Sequence, residues 1–284
     1  LVCVRSLSVD DERLPDILKA KATAHVKKNH YDEALECLEE LLDFVRKNKP
    51  GDDHLLERTL IKIAPIYGHT KNYEKAISAY SEALQIKLSQ KGGIEDPRIR
   101  YKVGRLYMMS NKPGLAAALY EEALPLLTAN FEKHYRDIFT TLRLLGNIYF
   151  DQGTYMFHRA LGCYQCALKI LKKYPEVRNS TTVESILNNM AFIFYTAGDI
   201  LKAIETLREA IKMYEANNGT FNSGYASLRH NLANVFLKIG DNEEAKVAYN
   251  EAFTIKIQLM RLVGDDTILL NPLDNMGATY VRLR

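Results

Sequence analysis

The chain repeats itself about every 42 residues, and this self-similarity limits what it can fold into. One block recurs as Leu145-Gly146-x-x-Tyr149, Met190-Ala191-x-x-Phe194, Leu232-Ala233-x-x-Phe236 and Met276-Gly277-x-x-Tyr280. Earlier copies read Ile63-Ala64-x-x-Tyr67 and Val103-Gly104-x-x-Tyr107, with a degenerate first copy, Lys21-Ala22-x-x-His25. Each holds a large residue, a small residue, two free positions and a ring. A second block follows the first six copies: Ala34/Leu38/Leu41, Ala76/Tyr80/Ala83, Ala116/Tyr120/Ala123, Ala160/Tyr164/Ala167, Ala203/Leu207/Ala210 and Ala245/Tyr249/Ala252. A fixed period of this length marks a solenoid, in which each unit buries its apolar face only against its neighbours. Such architectures usually bind other molecules rather than catalyse reactions.

The repeat unit reads as two helices. Leu187, Met190, Ala191 and Phe194 fall at i, i+3, i+4 and i+7, one face of a helix. Ala203, Leu207, Ala210 and Ile211 mark a second helix in the same way. Thr196-Ala197-Gly198-Asp199 between them is a helix stop followed by a helix start. The small residue of the first block reaches the Ala of the second after 12 residues in five units and after 14 in the fourth. The fourth turn therefore carries a two-residue insertion near Gly153-Thr154-Tyr155. From one pair to the next the gap varies from 28 to 32, so the pair is the rigid unit. Gly51-Asp52-Asp53, Gly93-Ile94-Glu95-Asp96-Pro97 and Gly264-Asp265-Asp266 supply helix ends and caps between pairs.

The 284 residues are 47% hydrophobic and 26% charged, as in a soluble globular chain. Lys and Arg total 38 against 35 Asp and Glu, a net charge of +3, which calls for neither nucleic acid nor an anionic membrane. No apolar run reaches the roughly 18 residues a membrane span requires. Cys3, Cys37, Cys163 and Cys166 are too few for a disulfide framework and fit a reducing, cytoplasmic setting. Cys163-Tyr164-Gln165-Cys166 lacks a second ligand pair, seven His are scattered, and no phosphate loop or triad spacing recurs. No cofactor, no metal site and no enzymatic activity are expected. The start, Leu1-Val2-Cys3-Val4-Arg5, has no initiator Met and reads as a cut through a longer chain. Residues 1–13 read as an N-terminal extension or the remnant of a preceding segment, and residues 14–284 as the array. Asn271 to Arg284 holds one block of a seventh unit without its second, so more chain or a covering partner is expected there.

These blocks resemble the tetratricopeptide repeat superfamily from about Leu14 to Arg284. The family's Trp is absent; Leu18, Leu60, Leu142, Leu187 and Leu273 take its place, with Arg100 and Arg229 as exceptions. The period is mostly 40 to 45 rather than about 34. That length, the phrase Leu187-Asn188-Asn189-Met190-Ala191 and the Gly-Asp-Asp linkers resemble the kinesin-light-chain branch in repeat style. Asn231 and Asn275 repeat the second Asn of the phrase, whereas Lys62, Lys102 and Leu144 hold that place in the earlier units. The resemblance implies an all-α, right-handed superhelical solenoid of antiparallel helix pairs, six pairs plus the first helix of a seventh. It also implies that the first helices line the concave side.

On that side the free positions are Arg58 and Lys62, then Arg98, Lys102 and Arg105, then Arg143 and Asn147. Asn188 and Asn189, then His230, Asn231 and Asn234, then Asn271, Asp274 and Asn275 continue the series. The early units supply Arg and Lys, which grip carboxylates, and the later units supply Asn, which can hold a peptide backbone. Together they describe a groove for an extended, acidic peptide of a protein partner, without nucleic acid or membrane insertion. In family members that clamp a C-terminal carboxylate, basic residues and Asn act on successive first helices; Arg143, Asn147 and Asn189 match part of that pattern, and Ser227 replaces a further cation. Two other readings stay open at this point. The same cations can be a solvated face and the Asn residues ties between helices, and the chain can be a scaffold that meets partners through its edges and convex face.

Overall fold

A computed structural model of the chain describes residues 13–90, 96–177 and 180–263. Everything described is helix, turn or loop, and no strand occurs among the described residues. Two compact units divide the chain, Leu1–Asp137 and Ile138–Arg284. The first holds α1 (Leu14–Lys27), α2 (Tyr31–Asn48), α3 (Asp53–His69), α4 (Tyr73–Ser89), α5 (Pro97–Met109) and α6 (Pro113–Thr128). Helix α7 (Phe131–Asp151) starts in the first unit and runs into the second. The second unit continues with α8 (Phe157–Lys173), α9 (Ser180–Ala197), α10 (Ile200–Asn218), α11 (Ser223–Lys238) and α12 (Asn242–Val263).

Packing follows chain order. In the first unit each helix from α1 to α6 packs on the next, and in the second α8 to α12 do the same. The chain is thus an all-α solenoid of helix pairs. Its apolar positions are those of the repeat: Leu18, Ala22, Ala34, Leu38, Ile63, Ala64, Ala76 and Tyr80 are buried in one core. Leu187, Ala191, Ala203, Leu207, Leu232, Ala233, Ala245 and Tyr249 are buried in another. At roughly 1.5–3 kcal/mol for each large apolar side chain taken from water, these seams supply the main driving force for stacking.

The small residue of the first block has a defined purpose. A Cβ on Gly146 would stand 2.5 Å from Tyr164 Cε1, and one on Gly104 would stand 2.6 Å from Tyr120 Cε1. Both rings are fully buried, so the second helix seats an aromatic face directly on the backbone of the first.

Helix starts are capped as the linkers suggest. Asp52 accepts from the Leu55 amide at 2.9 Å, Asp96 from the Arg98 amide at 3.0 Å and Asn222 from the Tyr225 amide at 2.9 Å. Inside the pairs, Asn72, Asp199 and Asp241 cap α4, α10 and α12. The residue before the N-cap of the second helix takes a left-handed backbone in pair after pair: Asn29, Lys71 and Asn111 early, then Gly198 and Gly240. The fourth turn, longer by two residues, contains a 3-10 turn, Thr154–Met156, between α7 and α8. Residues 1–12 and the seventh block, with Leu273 and Asn275, lie outside the described residues.

Candidate functional site

The first helices of the first unit are α1, α3 and α5. Arg58 and Lys62 lie on α3, Arg58 exposed and Lys62 half-buried. The Lys62 ammonium is held below its usual range, first by burial and then by the neighbouring cations Lys19 and Arg58. Lys19 comes from α1, so its charge acts on Lys62 from another first helix.

Lys102 and Arg105, on α5, line a hollow of about 240 Å³ with Pro65, Gly68 and His69 of α3 and Tyr80 of α4. The Lys102 Nζ stands 5.7 Å from the centre of the Tyr80 ring, a cation–π distance. Burial pushes the Tyr80 hydroxyl up to about 12, against the pull of Arg105. Arg98 is placed differently. Its guanidinium grips the capping carboxylate of Asp96 at 2.8–3.1 Å, so it is committed to its own helix start. Burial would raise that carboxyl, but the hydrogen bonds and charge of Arg98 outweigh it and hold it low.

The second unit presents amides instead of cations. Tyr164 of α8 donates its hydroxyl to Asn147 Oδ1 of α7 at 2.8 Å and accepts from Asn189 Nδ2 of α9 at 3.0 Å. One phenol therefore ties three helices. Arg143 is half-buried and lies close enough to lower the pKa of that phenol, although burial dominates and raises it. Asn231 Nδ2 of α11 donates to Asn188 Oδ1 of α9 at 2.7 Å, and Tyr249 of α12 donates to Asn234. Asn188, Asn231 and Asn234 also line a hollow of about 150 Å³ with Ala191, Phe192, Tyr195, Leu207 and Val235. Phe192 is 48% exposed there, which leaves an aromatic ring open beside three amides.

The sequence-expected residues thus gather into two kinds of surface. Arg58, Lys62, Lys102 and Arg105 form a cationic one; Asn147, Asn188, Asn189, Asn231 and Asn234 are half-buried and already bonded between helices. Asn275 lies outside the described residues. Sequence reasoning missed the hollows' aromatic members, His69, Phe192 and Tyr195, because they sit at positions the repeat leaves free. It also missed a larger hollow of about 580 Å³ on second helices, lined by Leu168, Leu171 and Lys172 of α8 and Glu209 and Met213 of α10. None of the described helices is long and apolar enough to cross a membrane.

No curated protein matches the chain. Among solved structures, BtubC (BKLC) from P. vanneervenii is similar at 21% identity and a TM-score of 0.59, with 81% of this chain and 92% of that one covered. The apo quorum sensor NprR from B. thuringiensis is similar at 17% identity and a TM-score of 0.60, covering 93% and 71%. NprR in complex with its cognate peptide NprX is similar at 15% identity and a TM-score of 0.50, covering 89% and 70%. At these identities the likeness is one of fold. The Tetratricopeptide repeat family matches residues 13–89 and 182–258, more than half of the chain. These matched segments hold helix pairs from both units, so the chain belongs to the tetratricopeptide repeat family, an architecture of protein–protein interaction modules.

Proposed function

We propose that the chain is an adaptor, not an enzyme, that holds an extended, acidic peptide segment of a partner protein on its first-helix face. The observation that carries this reading is half-buried Lys62, whose ammonium is disfavoured by burial and by the like charges of Lys19 and Arg58. A carboxylate arriving there relieves the repulsion and gains charge-assisted hydrogen bonds. The hollow beside Lys102 and Arg105 offers a second contact for the same segment. Asn188, Asn231 and Asn234, around Phe192, suit a peptide backbone with an apolar side chain between them. NprR forms a complex with its cognate peptide NprX, and a peptide ligand here is the analogous case. The repeat length also favours a light-chain-like style of array, and cysteines this few and unevenly placed suit a cytoplasmic setting.

The test is fluorescence anisotropy with a labelled, Asp/Glu-rich peptide of about a dozen residues, against a Lys-rich control. The triple variant Arg58→Glu, Lys62→Glu, Arg105→Glu should bind the acidic peptide at least about tenfold more weakly, the sum expected from several exposed ion pairs. Equal affinity of variant and wild type would reject the reading.

A second reading rests on the larger hollow of α8 and α10. Its apolar residues, Leu168, Leu171 and Met213, suit a scaffold that meets partners through its second helices. Leu168→Glu with Met213→Glu should then abolish partner capture that the triple variant leaves intact.

A further inference from the structure

Two of the places where the first helix pair departs from the repeat are histidines. Where later pairs carry a buried ring, such as Tyr67, Tyr149 and Phe236, the first carries His25. Asn72, Asp199 and Asp241 cap the second helices of three later pairs, whereas His30 stands at that position in the first and, like Lys112 and Met156 in the third and fourth, makes no side-chain cap. His30 thus forgoes the roughly 1 kcal/mol that an Asn or Asp cap supplies at such a position.

The two imidazoles meet. Their ring centroids are 6.2 Å apart across the turn from α1 to α2. One ring nitrogen of each and one carboxylate oxygen of Glu33, in the first turn of α2, lie within 4.8 Å of one another. His25 Nδ1 is shielded from water and meets no hydrogen-bond partner. The turn that carries His30 is held firmly. Asn29 adopts a left-handed backbone and accepts from the Tyr31 hydroxyl at 3.0 Å, and the Tyr31 ring stacks on His69 of α3 at 4.4 Å and 2°.

We propose that His25, His30 and Glu33 form a binding site for a zinc-class divalent cation at the turn between α1 and α2. Two imidazoles and a carboxylate are a donor set that such a borderline cation accepts, with water at the remaining position. Ligands on a tetrahedral zinc, at about 2.0–2.1 Å from the metal, stand roughly 3.4 Å from one another. Closing from 4.8 Å to that separation needs rotation of His30 and Glu33, whose side chains are each 53% exposed and 3.9 Å apart at Nδ1 and Oε1. Ligation through Nδ1 gives His25 the partner it lacks. A bound cation would also fasten α1 to α2, taking over the restraint that the missing cap does not supply. The site is independent of what the first-helix face binds.

Titration calorimetry of the chelator-treated chain with zinc chloride tests this, alongside cobalt(II) absorption as a report of tetrahedral ligands. The comparison is His25→Phe with His30→Asn, which restores the repeat's ring and cap. Wild type should bind one zinc and gain melting temperature as zinc is added. The double variant should melt at or above the temperature of the zinc-free wild type and lose affinity by more than about 100-fold, well beyond the loss from a single outer partner. Zinc binding no tighter in wild type than in the double variant would overturn the site. So would binding that survives the double variant and vanishes in Cys163→Ser with Cys166→Ser.

Discussion

At Gly146 a single methyl group decides whether α7 and α8 can pack. The nearest ring atom of Tyr164 would be 2.5 Å from a Cβ there, and the ring is fully buried. Gly146→Ala should therefore destabilise the fold by about 1–3 kcal/mol, the range for overpacking a filled core. Urea denaturation reads this directly, and an unchanged midpoint would contradict it. The buried phenols add a pH dependence. Burial raises Tyr80 from 10.0 to about 12, and it raises Tyr67 and Tyr164 as well. Between pH 10 and about 12 the folded chain keeps a proton at Tyr80 that the unfolded chain has lost. Stability is then complete below pH 10 and falls as pH rises through that window. Urea midpoints taken across it should drop, and Tyr80→Phe should flatten the drop. The two blocks were legible in the sequence because both recur at fixed spacing, but that the Gly of one meets the Tyr ring of the other comes from the packing. Which Asn would bond to which hydroxyl was not, since Asn189 and Tyr164 meet only through packing between pairs. Arg98 shows the same limit at short range: Asp96 reads as a cap and Arg98 as a ligand, and their bond to each other turns the second into support for the first.

Among the elements, the turns inside the pairs share one backbone solution. A left-handed residue precedes the second helix, and two late pairs place Gly198 and Gly240 there, while an early pair uses Lys71 at φ 63°. A side chain in that region costs roughly 1–2 kcal/mol, part of which a glycine loses again as unfolded-state entropy. Lys71→Gly should stabilise the fold by about 0.5–1 kcal/mol, visible as a raised melting temperature; a lowered one would show that the Lys71 side chain contributes packing not evident here. Helix identity and pairing were open to sequence reasoning because the 3.6-residue period and the capping residues agree. The 3-10 turn at Thr154–Met156 was visible only as two surplus residues, since length gives no conformation. The hollow on α8 and α10 was also out of reach, because it depends on how far apart two second helices stand. His25, His30 and Glu33 lack any familiar ligand spacing, and only the turn between their helices brings them together.

For the molecule as a whole, each unit offers its own chemistry on its first helices. The Leu1–Asp137 unit carries Arg58, Lys62, Lys102 and Arg105, and the Ile138–Arg284 unit carries Asn188, Asn189, Asn231 and Asn234. The shift from cations to amides was plain in the sequence once the repeat register was known. Its meaning changed with the structure, because the amides already tie neighbouring helices while the Lys62 cluster repels itself. The proposed electrostatic recognition therefore rests chiefly on residues of the first unit. The most direct measurement is the dissociation constant of an acidic peptide from about 0.01 M to 1 M salt, over which the screening length shrinks from roughly 30 Å to 3 Å. The predicted result is affinity that falls by more than about tenfold across that range, with the Arg58→Glu, Lys62→Glu, Arg105→Glu variant weak throughout. Salt-independent binding that the variant retains would contradict the account.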